Sequence, residues 1–299
     1  MNRWHVLGAT FVLLTAMCGS TSALPAEPTE EGVMFGGQWT AANNTTSQTS
    51  GLEDLKTVVE VFTATWCTNC VDVEHALEEV QANGLLQQYH VHRSIGESED
   101  PFGTDVLDQR WKDKYGYDSP PTVVFNGSMK KIGSVADDGT LVNEFTNLAT
   151  TNLDLGNGST TFAWTPAGLD SGTVAWQLDI EQSQLDGYDL HVTVWVVETE
   201  AHFENGSNGL AVYPHVVHSI HDLGNAMNGT ATLDLPDAHD DDDLEIHLVY
   251  ELTPTEPVAP PQDDPVVEEE SMPWVGAWPT AALVMVVAFS RGGCGNRCE

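Results

Sequence analysis

The sequence predicts an α/β domain followed by an all-β, sandwich-like domain, framed by an N-terminal signal peptide and a C-terminal transmembrane helix. Three observations carry this. Residues 57–153 alternate β-branched strands with helical stretches and include an Asn-Gly hairpin turn. Residues 160–253 hold segments of apolar/polar alternation between Gly, Asn and Asp turns. Each end of the chain carries an apolar run. The expected divisions are a signal peptide (1–23), a flexible spacer (24–50), the α/β domain (51–153), the β domain (160–253), an acidic Pro-rich stalk (254–271), a transmembrane helix (272–290) and a cytoplasmic tail (291–299).

Met1 to Ala23 has one arginine, an apolar run from Val6 to Met17, and small residues at Thr21-Ser22-Ala23. That is the layout of a secretory signal peptide; lipid attachment at Cys18 is the alternative reading. Leu24–Ser50 is rich in Pro, Glu, Thr, Asn and Ser and reads as a spacer, with VMFGGQW (Val33–Trp39) a short extra strand within it. TVVEVFTA (Thr57–Ala64) is a buried strand, and VDVEHALEEVQANG carries Val73, Ala76, Leu77 and Val80 at helical spacing before Gly84. Gln88–Ile95 is a second strand, and Thr104–Gly116 a second helix capped by Thr104. Pro121–Val135 is a hairpin turning at Asn126-Gly127, and a closing helix follows from Asp137.

Beyond Thr160, TVAWQLDIEQ, YDLHVTVWVVETE, TATLDLP and LEIHLVYEL alternate as the strands of an antiparallel sandwich would. Met272–Ser290 is uncharged over a length suited to a bilayer; Glu268–Glu270 precede it and Arg291 and Arg297 follow, which places the bulk of the chain outside. Ten Lys plus Arg oppose 45 Asp plus Glu, a net charge of −35, and no Lys or Arg occurs between Ile132 and Ser290. Such a surface repels phosphate backbones, which excludes nucleic acid as a partner. Asn-X-Ser/Thr sequons at Asn43, Asn44, Asn126, Asn157, Asn205 and Asn228 fit an exported, glycosylated chain.

The chemistry concentrates in TATWCTNC, Thr63–Cys70, where Cys67 and Cys70 follow Trp66. The strand before them delivers both cysteines to the start of a helix, where the dipole and free N–H groups favour a thiolate. The strand–helix–strand–helix–hairpin–helix order, the CxxC opening the first helix, and SPPTVVFNG about fifty residues later resemble a thioredoxin-like domain. Taken whole, the chain is similar to exported thioredoxin-like proteins with a C-terminal β domain, grouped as outer-membrane-type lipoproteins or families of unknown function. The resemblance rests on VVEVFTATWCTNCVDVE, EDPFGTDVLDQRWKDKYGYDSPPTVVFNG, VTVWVVE and YPHVVHSIHDLG, within Val58–Leu252. It implies export and a CxxC site in which Cys67 is the exposed nucleophile, Cys70 the resolving partner, and Pro121 a cis-proline facing them. Two departures stand out. Val61 occupies the place of thioredoxin's buried aspartate, with Glu60 pointed to the opposite face by strand alternation, so deprotonating Cys70 needs another group or water. Thr68-Asn69 replaces Gly-Pro between the cysteines.

Other clusters admit alternatives. Cys67 and Cys70 could form an inert staple, but so short a loop contributes little chain-entropy stabilisation, which argues for chemistry. A zinc site would need about two further ligands, and with Cys294 and Cys298 across the membrane only histidines remain. His75, His90 and His92, like His215, His218 and His221, read as structural rather than as metal ligands. Asp237–Asp243 lacks the glycine and glutamate of a calcium loop and reads as a solvated acidic turn. No cofactor is called for. The reading that results is a membrane-anchored thiol–disulfide oxidoreductase acting on protein thiols and disulfides through Cys67 and Cys70, with Pro121 shaping the groove and Trp66 flanking it. The C-terminal helix would be its contact with the membrane, and the redox partner is unspecified. The alternative is a non-enzymatic surface binding or assembly module with a passive disulfide.

Overall fold

The segment expected as a spacer is largely strand, and the short strand expected at Val33–Trp39 is the start of a longer one. The computed structural model describes residues 23–255 apart from 117, 118, 152 and 241. Within them, the short β1 (Glu27–Pro28) is followed by β2 (Val33–Ala41) and β3 (Thr46–Gly51), which occupy the segment expected as spacer. Val33–Trp39 was the part with apolar content, and it is the start of β2. The polar TSQTSG forms β3 because its partner β8 (Gly158–Pro166) supplies the ladder, with Thr46 opposite Trp164 and Gly51 opposite Ser159.

From there β4 (Thr57–Thr63), α1 (Thr68–Ala82), β5 (Leu86–His92), α2 (Asp105–Tyr115), β6 (Thr122–Phe125), β7 (Met129–Ile132) and α3 (Leu141–Ala149) run in the predicted order. Thr104 and Thr140 cap α2 and α3 by accepting from the Leu107 and Asn143 amides. The hairpin turns through left-handed Asn126 (φ 48°) and Gly127 (φ 69°). Next come β9 (Ser171–Ile180), the single-turn α4 (Gln182–Leu185), β10 (Tyr188–His202), β11 (Val212–Asp222), β12 (Asn228–Asp234) and β13 (Leu244–Pro254).

The fold class needs correcting. Thirteen strands against four helices make the described chain mostly β, and the expected separation into an α/β thioredoxin-like domain and an independent sandwich does not hold. One nine-stranded mixed sheet, ordered β1-β7-β6-β4-β5-β11-β10-β13-β2, runs through both halves, and a four-stranded sheet, β12-β9-β8-β3, packs beside it. The physical reason is the edge of β5. Left alone it would expose a row of unpaired backbone groups; instead β11 joins it in parallel, Val216 opposite His90. The described residues accordingly form one compact unit.

Three apolar layers hold this unit. Phe162, Trp164, Val174 and Trp176 meet Val192, Val194, Leu248 and Tyr250 between the two sheets. On the other face of the large sheet α2 lays Trp111 against Phe62, ring centroids 4.9 Å apart, beside Tyr89 and Trp195. Strand β4 alternates, so Val59 and Val61 turn the opposite way, toward Leu77 of α1 and Phe145 of α3. Among the described residues no helix is long and apolar enough to cross a membrane. The expected transmembrane helix (272–290), cytoplasmic tail, almost all of the stalk and the signal peptide up to residue 22 lie outside the described residues. Of the six sequons, Asn126 is buried and its Oδ1 accepts from the Val58 amide at 2.9 Å, which removes it from the surface; the other five asparagines are exposed.

Candidate functional site

Strand β4 ends at Thr63, and the chain turns through Ala64-Thr65-Trp66 before α1 begins. Cys67 is the N-cap residue of α1 and is joined to Cys70 by a disulfide, the Cα atoms 5.3 Å apart. The turn closes through the Cys67 amide to the Ala64 carbonyl (2.9 Å) and the Cys70 amide to the Cys67 carbonyl (3.1 Å). No acidic residue occupies the first turn of α1, so nothing there opposes the helix dipole acting on a Cys67 thiolate.

Cys70 is fully buried, and Cys67 keeps 5% of its surface. The resemblance implied an openly exposed nucleophile; the structure covers most of it. Half-buried Trp66 packs against Ala64, Cys67 and Cys70, its indole N–H donates to Glu97 at 2.8 Å, and Arg93 lies 5.8 Å from its ring centroid. From the other half of the chain, Tyr213 donates its hydroxyl to Asn208 Oδ1 (2.8 Å), and the Asn208 amide donates to the Thr65 carbonyl (3.1 Å). The β10–β11 loop therefore clamps the turn that carries the cysteines.

Pro121 is buried, the Pro120–Pro121 peptide is cis, and Thr122 pairs with Phe62. Continuing that antiparallel register puts Pro121 opposite Thr63, at the end of β4 from which the chain proceeds to Cys67. The four residues singled out by sequence thus come to one end of one strand pair.

Beneath α1 lie two carboxylates that sequence reasoning missed, Glu74 and Asp100, among histidines it had read as structural. Glu74, one helical turn after Cys70, is buried at 2% exposure and accepts from Thr63 Oγ1 at 2.6 Å. Burial raises its carboxyl above the ordinary range, with the Thr63 hydrogen bond and His92 pulling the other way. His92 Nδ1 sits 2.7 Å from Asp100, which also accepts from the Thr65 and Phe102 amides. Burial alone would lift Asp100; His92 and those amides hold it below its usual value. Further along the same face, burial and then His215 keep His90 well below the normal imidazole range, so it is neutral. His215 reaches Gln81 and Glu78 at 2.9 and 3.1 Å, completing a polar layer between α1 and strands β5 and β11. Among the described residues no group of three or more His, Cys, Asp or Glu is arranged to hold a metal ion.

Glu60 faces away, as strand alternation requires. It meets Arg110 at 2.6 Å on the α2 side and takes no part in the cysteine site. His218 binds Glu198 at 2.5 Å, and Glu198 also accepts from the His239 and Asp240 amides, so the acidic segment after β12 is tied to β10 as a structured turn. A cavity of about 530 Å³ lies at the opposite end of β4, lined by Leu52–Thr57 and the chain after α3, away from the cysteines.

No family model and no curated protein matches the chain. Solved structures similar to it in part include the following two. HBP35 of Porphyromonas gingivalis has 20% identity and a TM-score of 0.46, with 60% of this chain and 63% of that one covered. Protein AGR_C_4864 of Agrobacterium tumefaciens has 17% identity and a TM-score of 0.41, covering 60% and 78% respectively. The chain thus spans less than two thirds of the length of HBP35.

Proposed function

We propose that this chain is an exported thiol–disulfide oxidoreductase that exchanges disulfides with protein cysteines. Cys67 is the nucleophile and Cys70 the resolving thiol; Trp66 flanks the site and Pro121 shapes the groove beside it. The observation that carries this reading is the placement of the Cys67–Cys70 pair at the start of α1, with no acid in the first turn, and Cys70 wholly buried behind Cys67. The asymmetry suits two-step exchange. The Cys67 thiolate attacks a substrate disulfide and forms a mixed disulfide; Cys70 then attacks Cys67, and the second substrate thiolate leaves. In the reverse direction the same steps oxidise a substrate dithiol.

The test is a Cys70→Ser chain expressed in an exporting host. Mixed disulfides should accumulate through Cys67, vanish on reduction, and be missing from a Cys67→Ser/Cys70→Ser control. A Cys70→Ser chain that traps nothing refutes the proposal. The 5% exposure of Cys67 favours a second reading, a binding or assembly module with a passive disulfide. A reduction potential below about −300 mV with an alkylation-resistant Cys67 would support that reading.

A further inference from the structure

An exchange site of this kind must take a proton from its buried resolving thiol, and β4 offers no acid on the correct face, since Val61 packs into the apolar core and Glu60 pairs with Arg110 on the other side. Helix α1 supplies one. Cys70 and Glu74 are one turn apart on the same helix face, where Cβ atoms lie about 5–6 Å apart. Side chains lean toward the helix N-terminus, so the longer glutamate reaches back toward Cys70. Its hydrogen bond to Thr63, the last residue of β4, anchors the carboxyl at the cysteine end of the strand.

One oxygen is thereby used. The other, Oε2, is buried and has no hydrogen-bond partner among the described residues; neither has His92 Nε2, on the strand beneath. A buried carboxylate oxygen without a donor is costly unless it has a further task. The titratable groups acting on Glu74 are His75 and Glu78 of its own helix and His92 of β5, with Tyr213 of β11 and Asp100 next to His92 close by.

We propose that Glu74 is the proton acceptor for Cys70 during resolution of the mixed disulfide. The inference rests on the oxidoreductase reading above. Cys70 S–H gives its proton to the Glu74 carboxylate as its sulfur attacks Cys67 Sγ. The Cys67–Cys70 bond forms, the Cys67–substrate bond breaks, and the substrate thiolate leaves and is protonated from solvent. Two electrons pass from the protein dithiol to the substrate disulfide. When a substrate dithiol is oxidised, Glu74 returns the proton to the departing Cys70 thiolate. Burial, which raises the Glu74 carboxyl, keeps it a usable proton carrier nearer neutral pH.

The experiment uses the reduced full chain and an aromatic disulfide, dithiobis(nitrobenzoate), whose two coloured thiolates are released in turn. The first release reports attack by Cys67, the second closure by Cys70. In Glu74→Gln, which keeps an acceptor for Thr63, the first release should stay within about twofold, while the second slows about tenfold or more at about pH 7. The gap should narrow as pH rises and hydroxide replaces the carboxylate as the proton acceptor. Thr63→Val keeps the carboxylate but removes a bond that lowers its proton affinity, so the pH midpoint of its second release should rise. That variant reads the same assignment should Glu74→Gln fold poorly. A normal first release with an unchanged second release, or a second release slowed equally at every pH, overturns the role of Glu74 alone. A wild-type chain with no first release overturns both this role and the oxidoreductase reading.

Discussion

Replacing Glu251 by glutamine tests the cluster that ties the two halves of the chain together. Arg110 of α2 reaches Glu60 of β4 at 2.6 Å and Glu251 of β13 at 2.8 Å, and Lys114 reaches Glu251 at 3.0 Å. Tyr115 donates to Glu60, and the Arg110 guanidinium lies 4.8 Å from the Trp195 ring centroid. Burial pushes the Glu251 carboxyl up, but Lys114 and then Arg110 hold it down to about 2, against an ordinary value of 4.5. A carboxylate titrating lower in the folded state contributes stability that is present above the unfolded value and disappears as pH falls through the folded one. The full difference corresponds to about 3 kcal/mol. Partial solvent contact, with 16% of the Glu251 side chain exposed, brings the expectation to about 2 kcal/mol. Urea unfolding of the oxidised chain should therefore show Glu251→Gln less stable by about 2 kcal/mol at about pH 7, by about half that near pH 3, and by almost nothing near pH 1. The wild-type transition should be single, because the cluster joins α2 and β4 to β13. A difference below about 0.5 kcal/mol at neutral pH, or one that does not change with pH, would refute the reasoning.

Two further substitutions follow from the backbone and the clamp. Asn126→Ala should cost about 2 kcal/mol, read from the urea midpoint, because it orphans the Val58 amide and puts alanine at a left-handed turn position. A Cβ at Gly206 would sit 1.9 Å from the Tyr213 hydroxyl, so Gly206→Ala should push Tyr213 off Asn208 and Thr65. The expected results are a stability loss of about 1–3 kcal/mol and a several-fold faster alkylation of reduced Cys67 by iodoacetamide. An unchanged alkylation rate would argue that the clamp does not govern access to the cysteine turn.

Local signals were legible wherever a short segment decides its own structure. The β-branched Thr57–Thr63, the Thr104 cap and the Asn126-Gly127 turn all carry their instructions within a few residues. What was hidden is pairing at a distance. TSQTSG has no apolar residue to mark a buried face and becomes β3 because β8 lies alongside it. Nothing local says that β11 will join β5, and that single parallel pairing converts two expected domains into one sheet. The site divides in the same way. Cys67, Cys70, Trp66 and Pro121 were readable as a motif. Glu74, buried on a helix whose neighbours are equally acidic, could have been found only by noting that it stands four residues after Cys70, on the face shared with Val73 and Leu77. His92 and Asp100 are eight residues apart and meet through a turn that no periodicity reveals.

The two functional readings differ in how easily the cover over Cys67 opens, and its parts are not equally strong. The outer part is one half-buried indole, held by a hydrogen bond to Glu97 and a cation–π contact with Arg93. Such contacts are each worth about 1 kcal/mol at partly exposed sites, and the packing of the indole on Ala64, Cys67 and Cys70 adds about as much again, so swinging Trp66 aside costs on the order of 3 kcal/mol and leaves a small fraction of molecules open at any instant. The inner part is buried throughout: Glu74 on Thr63, Asp100 on His92 and the Thr65 amide, Asn208 and Tyr213 on the Thr65 carbonyl. Opening it would strip partners from several buried polar groups together, at about 1–3 kcal/mol each. A rigid floor beneath a more weakly held lid would suit the exchange proposed at Cys67, since Glu74 and its buried neighbours would stay in register while the sulfur is uncovered. A passive staple would need neither the uncommitted carboxylate oxygen of Glu74 nor its place one turn behind Cys70.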